Sequence, residues 1–222
     1  MKRRLIIGGS IITTLLACAV ISFWWTPVEM PMRLRIGARL KAPFEAGLLG
    51  TDQLGRDVLS LLMLASQNTL LVAVSSVAVG TALGSALGLV AAIRRGWVAT
   101  LTMRLADLLF AFPPILSAMM LGAALGSGFG SAIAAIAIFT IPVFARTVRA
   151  KALQILATDY VRAAKALGVR DGAILWRHVM PNVAGELSVQ ISLQLGLAIL
   201  TEAGLSFLGL GPAPPAPSWG RM

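Results

Sequence analysis

Long runs without charge organise this sequence more than any alternating or helical stripe does. Residues 5–28, between Arg4 and Glu29, carry no charge and predict one membrane helix with Trp24 and Trp25 as interfacial anchors. Residues 58–93, between Asp57 and Arg94, predict a second, set at about Asn68 to Ile93. The run 108–145 is too long for one crossing. Gly126-Ser127-Gly128-Phe129-Gly130 divides it into two spans, a hairpin through the membrane. A last span begins after Glu186 and ends before the Pro-rich 211–217 stretch. The pattern therefore predicts an all-α integral membrane protein of about five spans. Its segments are an N-terminal helix with a basic start (1–28), an outer segment (29–66) and a transmembrane domain (67–222) with an inner loop at about 146–182.

Composition removes the soluble alternative. Of the 222 residues, 57% are hydrophobic and 13% charged, with 22 Gly, which is too little charge to cover a soluble domain. A single Cys excludes a disulfide scaffold. The net charge of +10 is a topology signal before it is anything else. With Lys2, Arg3 and Arg4 inside, Arg94, Arg95 and Arg104 fall inside as well. So do Arg146, Arg149, Lys151, Arg162, Lys165, Arg170 and Arg177. Only Arg33, Arg35, Arg39, Lys41, Arg56 and Arg221 lie outside, offset by Glu29, Glu45, Asp52 and Asp57. Every loop obeys the positive-inside rule, so the N-terminus is expected in the cytoplasm and nucleic acid is not expected as a partner. Leu15-Leu16-Ala17-Cys18 resembles a lipoprotein cleavage box, but the apolar run continues to Trp25 as an uncleaved span would.

Catalytic constellations are missing. One histidine, His178, excludes a His-Glu-x-x-His zinc site, and neither a Gly-x-Ser-x-Gly elbow nor a phosphate-cradling Gly-x-x-x-x-Gly-Lys loop is present. No enzyme activity, metal or cofactor is expected, and an intramembrane protease is disfavoured. Gly80, Gly84 and Gly88 share one helix face and let another backbone approach closely. Pro113, Pro114 and Pro142 interrupt apolar runs, each as a kink or as a hinge or cavity lining, and Pro113 and Pro114 are candidates for a pathway or its gating. Asp107 and Glu186 are expected at the inner interface. Glu202, nearer the outer end of the last span, is a candidate to line or gate a pathway or to pair with a neighbour. A proton-driven carrier would want more buried acids than this, yet a stand-alone secondary carrier or channel remains the rival of a different class.

The most informative stretch is Asp159-Tyr160-Val161-Arg162-Ala163-Ala164-Lys165-Ala166-Leu167-Gly168-Val169-Arg170-Asp171-Gly172, followed by a second helix running toward Pro181 and Asn182. Thr158 or Asp159 can cap a short helix that Gly168 ends. A short amphipathic helix on a tight turn between two spans suits a groove on a cytoplasmic partner, or else the membrane surface.

Ala163-Ala164, Gly168 four residues on and Pro181 thirteen after that match the EAA signature of type I ABC importer permeases. More narrowly, the chain resembles the dipeptide/oligopeptide/nickel branch. Gly50-Thr51-Asp52-Gln53-Leu54-Gly55-Arg56-Asp57 agrees with that branch, as do Phe207-Leu208-Gly209-Leu210-Gly211 and Pro214-Pro215-Ala216-Pro217-Ser218-Trp219-Gly220. Arg162 stands where the signature has an acid, and His178 and Met180 stand where it has Ile and Leu. Leu61 and Gln67 replace two arginines common in the branch. Family members continue past Ser218-Trp219-Gly220 with a sixth span, so the resemblance implies a chain one span short.

What the resemblance implies is a permease subunit in the bacterial inner membrane, within the lipid bilayer. It would act with a second permease subunit as a heterodimer, two cytoplasmic ATPase subunits and a periplasmic solute-binding protein. Residues 29–66 would be periplasmic. The 159–181 region would be the coupling helix, with Asp159, Arg162, Ala163, Ala164, Gly168, Pro181 and Asn182 at the ATPase contact. Short peptides are the expected substrate, with nickel or another small solute, or a non-functional truncated permease, as alternatives.

Overall fold

A computed structural model describes residues 2–94 and 96–222; Arg95, counted among the inner basic residues, lies outside them. The described residues are mostly helical and form no strand. α1 (Lys2–Ile21) leads into an irregular outer segment, after which come α2 (Val58–Ile93), α3 (Trp97–Phe110), α4 (Pro114–Leu125) and α5 (Phe129–Leu156). Short α6 (Asp159–Ala166) and α7 (Asp171–Ile174) precede α8 (Met180–Phe207).

Among the described residues, three stretches are long and apolar enough to cross a membrane: α2, α5 and the continuous helix Asp171–Phe207. α3 and the following Ile115–Leu125 pass that test only as a pair, bent by 90°. Among the described residues that gives three candidate spans, or four with the bent pair, beside the shorter apolar helix Ile6–Ile21 where the first span is expected. α1 stops at Ile21 rather than running to residue 28; its twenty residues measure about 30 Å, and Ile6–Ile21 is the apolar part among the described residues. Trp24 and Trp25 lie just beyond the helix, exposed.

α2 begins ten residues earlier than the apolar pattern predicts, because Asp57 caps it. The carboxylate accepts from Ser60 N at 2.8 Å and Ser60 Oγ at 2.6 Å. The result is a helix of 36 residues, about 54 Å long. The other boundary set differently is Pro181. Instead of ending a helix, it sits inside one. Proline offers no N–H to the fourth residue back, and the chain absorbs the missing bond in a π-helical turn over Leu175–Val179, with Met180 N bonded to Leu175 O. Pro142 is likewise buried inside a continuous α5.

α2 and α5 form the centre of the bundle and run parallel. The glycine repeat sets their contact: a Cβ on Gly80 would overlap Thr140, one on Gly84 would meet Ile141 O and Phe144, and one on Gly88 would meet Ala145 O and Val148. Small residues at fourfold spacing are what close backbone approach requires in lipid. α3 and α4 return the chain from the inner end of α2 to the start of α5, and the Gly126–Gly130 turn joins α4 to α5 as expected. Two apolar cores follow. One groups Val72, Val77, Ile136, Phe144 and Leu205 at mid-bundle. The other groups Val148, Ile155, Val161, Ile174 and Val183 at the inner end.

Candidate coupling surface

At the end of the bundle that carries most of the basic residues, α6 forms a short knuckle between α5 and α7. Its Val161 is fully buried against Val148, Ile155, Ile174 and Val179, which anchors an eight-residue helix too short to be stable alone. Asp159 in the first turn and Lys165 in the last complement the helix dipole. Thr158 holds the N-cap position, but its hydroxyl donates to Ile155 O at 2.6 Å and caps nothing.

Gly168 ends α6 as the sequence predicts. Its φ is +80°, Gly168 N donates to Lys165 O at 3.0 Å, and Val169 N donates to Ala164 O at 3.1 Å. This paired closure needs a left-handed residue just beyond the helix, where glycine carries no Cβ penalty. A Cβ on Gly168 would meet nothing within 4 Å, so backbone conformation rather than space selects glycine within this chain.

The outer face of the knuckle is open. Asp159, Arg162 and Ala163 are exposed and Ala164 half-buried, and Arg162 lies 3.8 Å from Asp159. Lys165 Nζ reaches Asp171 Oδ1 at 3.2 Å, closing the turn electrostatically. Pro181 and Asn182 are exposed on the first turn of α8, one helical turn past the π segment. Asn182 Nδ2 donates to His178 O at 2.7 Å. The His178 ring packs edge-on against Tyr160 at 5.7 Å, joining the two halves of the loop. The structure thus brings the predicted loop residues to one end of the bundle.

Leu167 was not among the candidates, yet it is 85% exposed at the tip, one of the most open large apolar side chains in the chain. Its position was legible: six residues past Val161 at 100° per residue places it well off the buried face. Trp176 is also exposed, beside the same loop.

The remaining candidates sit elsewhere. Glu202 is fully buried in the C-terminal half of α8. Its Oε2 accepts from Thr69 Oγ1 at 2.8 Å and its Oε1 from Ser206 Oγ at 2.6 Å. Of the two roles open to it, pairing is the one this chain displays. Pro113 precedes α4 and Pro114 is its first residue, at the 90° bend. Asp107 pairs with Arg146, whose guanidinium lies 4.4 Å over the Phe110 ring.

The outer motif is a helix-start device. Asp52 Oδ1 accepts from Leu54 N and Arg56 N, each at 2.8 Å, and Oδ2 accepts from Arg56 Nε at 2.8 Å. Burial raises the Asp52 carboxyl, but these bonds and the Arg56 charge outweigh it and hold it below its ordinary value. At the C-terminal side, Trp219 Nε1 donates to Leu62 O at 3.3 Å and Asn68 Nδ2 to Pro217 O at 2.8 Å, so the Pro-rich segment straps the outer end of α2.

Comparison with known proteins adds independent findings. The sequence profile of a family described as "Binding-protein-dependent transport system inner membrane component" matches residues 84–222. Glutathione transport system permease protein GsiD of Pectobacterium atrosepticum is 38% identical over 215 residues, covering 97% of this chain and 71% of that protein. GsiD of Escherichia coli O1:K1 is 38% identical over 208 residues, covering 94% and 69%. A protein of Brucella suis biovar 1, provisionally named a peptide permease, is 39% identical over 223 residues, covering 100% and 74%.

Proposed function

The chain belongs to the family of binding-protein-dependent transport system inner membrane components, and from that membership we propose that it carries short peptides across the inner membrane using ATP hydrolysed by partner subunits. It is a multi-pass permease subunit of an ABC importer; the substrate rests on relatives named for glutathione and for peptides.

The single observation that carries the mechanism is the braced knuckle. Val161 locks α6 to the ends of α5, α7 and α8, so a push on α6 cannot be absorbed locally and moves the helices as a body. Leu167 and Ala163 offer a small apolar surface, bordered by Arg162, for insertion into a groove of each ATPase's partner-facing side. Pro181 and Asn182 border the same surface. We place this end in the cytoplasm, with the N-terminus, because the apolar runs of the sequence assign thirteen of the nineteen basic residues to that side of the membrane. Residues 29–66 then face the periplasm and the solute-binding protein. The poorly buried side of α8, with Val189, Leu193, Leu197 and Leu200 exposed, supports a second permease subunit beside it.

Replacing Gly168 with valine in the assembled transporter tests the mechanism. The expected result is ATP hydrolysis that no longer drives peptide uptake, since valine is strained at φ +80° and shifts the tip. Undiminished uptake would sink the coupling assignment.

A further inference from the structure

At the same end of the bundle, a cleft of about 390 Å³ opens between the end of α2, the first turns of α3 and the inner half of α5. Arg104, Asp107 and Arg149 line it together with Ala99, Thr100 and Met103. Its charge is unbalanced. Asp107 is already paired with Arg146, so Arg104 and Arg149 are left in excess. Among the described residues neither makes an ion pair. Arg149 is positioned rather than loose: Nε donates to Ala91 O at 3.4 Å, and its Nη groups make no hydrogen bond among the described residues. Two guanidinium groups on a half-enclosed cleft match the bidentate geometry of a phosphate.

The surroundings favour a lipid over a free anion. α3 begins at Trp97, which is 75% exposed, as an interfacial tryptophan is. Leu101, Leu105 and Leu108 are exposed at spacings of four and three, so they form one apolar stripe on α3 running alongside the cleft, whose α3 lining extends from Ala99 to Asp107. Charged headgroup site and acyl-chain track are thus joined on one helix.

We propose that this cleft binds the phosphate headgroup of an anionic phospholipid from the leaflet at the α6 end, with an acyl chain lying along Leu101, Leu105 and Leu108. Basic pockets between transmembrane helices are suited to such headgroups. The bound lipid bridges α3 to α5 and holds the first limb of the bent α3–α4 pair in place. The proposal rests on the chain being membrane-embedded, and on neither its substrate nor its ATPase coupling.

Native mass spectrometry of the intact transporter complex, equilibrated with equimolar phosphatidylglycerol and phosphatidylcholine, tests this without reference to uptake. Retention on this subunit is expected to favour phosphatidylglycerol by at least about fivefold. Arg104→Gln is expected to lower that preference about fivefold, while Arg104→Lys keeps most of it. Arg149→Gln should act likewise; because Arg149 also contacts Ala91 O, the exposed Arg104 carries the decision if that variant fails to fold. Arg33→Gln, an equal charge loss in the outer segment, is expected to change nothing. Equal retention of the two lipids, or an Arg33→Gln effect as large as that of Arg104→Gln, overturns the proposal. So does loss of the preference in millimolar inorganic phosphate, which would make a free anion the occupant.

Discussion

Thr69 Oγ1 donates to Glu202 Oε2 at 2.8 Å, joining α2 to α8 where both side chains are fully buried. With Ser206 on the other oxygen, the carboxyl group has a hydroxyl donor at each end. A buried carboxyl group in lipid is far less costly when its partners are supplied in this way. Glu202→Ala would leave two hydroxyls without their acceptor and a void between helices, a loss of about 3 kcal/mol. Glu202→Gln keeps the volume and is expected to cost about 1 kcal/mol. Thermal unfolding of the purified protein in detergent checks both. Equal melting temperatures for the two variants would show that the pairing contributes nothing.

The parallel contact of α2 and α5 gives a graded prediction. Gly84→Val places carbon against Ile141 O and Phe144, in a contact with no slack, and is expected to destabilise by about 1–3 kcal/mol or more. Gly204→Ala, in α8, meets nothing within 4 Å and should be neutral or slightly stabilising. The yield of monodisperse protein and its melting curve measure the contrast.

On the coupling surface, Leu167→Asp separates partner contact from folding. The side chain is exposed, so stability should change by about 0.5 kcal/mol or less. Affinity for the ATPase subunits is expected to fall about tenfold or more, read from co-purification at graded detergent and salt. Val161→Asp, by contrast, places a charge in the inner core and should abolish the folded knuckle.

The outer loop should loosen in acid. Asp52 is held below its ordinary value in the folded chain, so its stabilising contribution is complete above the unfolded carboxyl value of about 3.9. It is lost as pH falls through the lower folded value. Hydrogen exchange of Leu54 and Arg56 amides is expected to accelerate, after correction for intrinsic rates, as pH is lowered from neutrality to about 3. Asp52→Asn, already neutral, should show a flat corrected profile.

Much of this was legible from local chemistry. Asp57 followed by an apolar run announces a capped helix, although hydropathy alone placed its start ten residues late. Gly168 ends α6 through a positive φ that the preceding alanine-rich turn and the charged loop after it made readable. The repeat of Gly80, Gly84 and Gly88 foretold a close helix contact. It could not name α5 as the partner, since a glycine face offers a gap and carries no address. The helix that runs toward Pro181 continues through it, because whether a proline ends a helix depends on the packing beyond it. Here Val179 and Val183 are both buried in the inner core, which makes a π turn cheaper than a break.

Membrane embedding, the alternation of basic and apolar segments and the glycine end of α6 follow from the sequence by itself, because hydropathy, charge and capping act between neighbours in the chain. The parallel pairing of α2 with α5, the 90° bend after α3, the partners of Glu202 and the convergence of Arg104 with Arg149 were decided only by tertiary structure. All but the bend join residues dozens of positions apart, and the free energy that joins them exists only once the helices have packed.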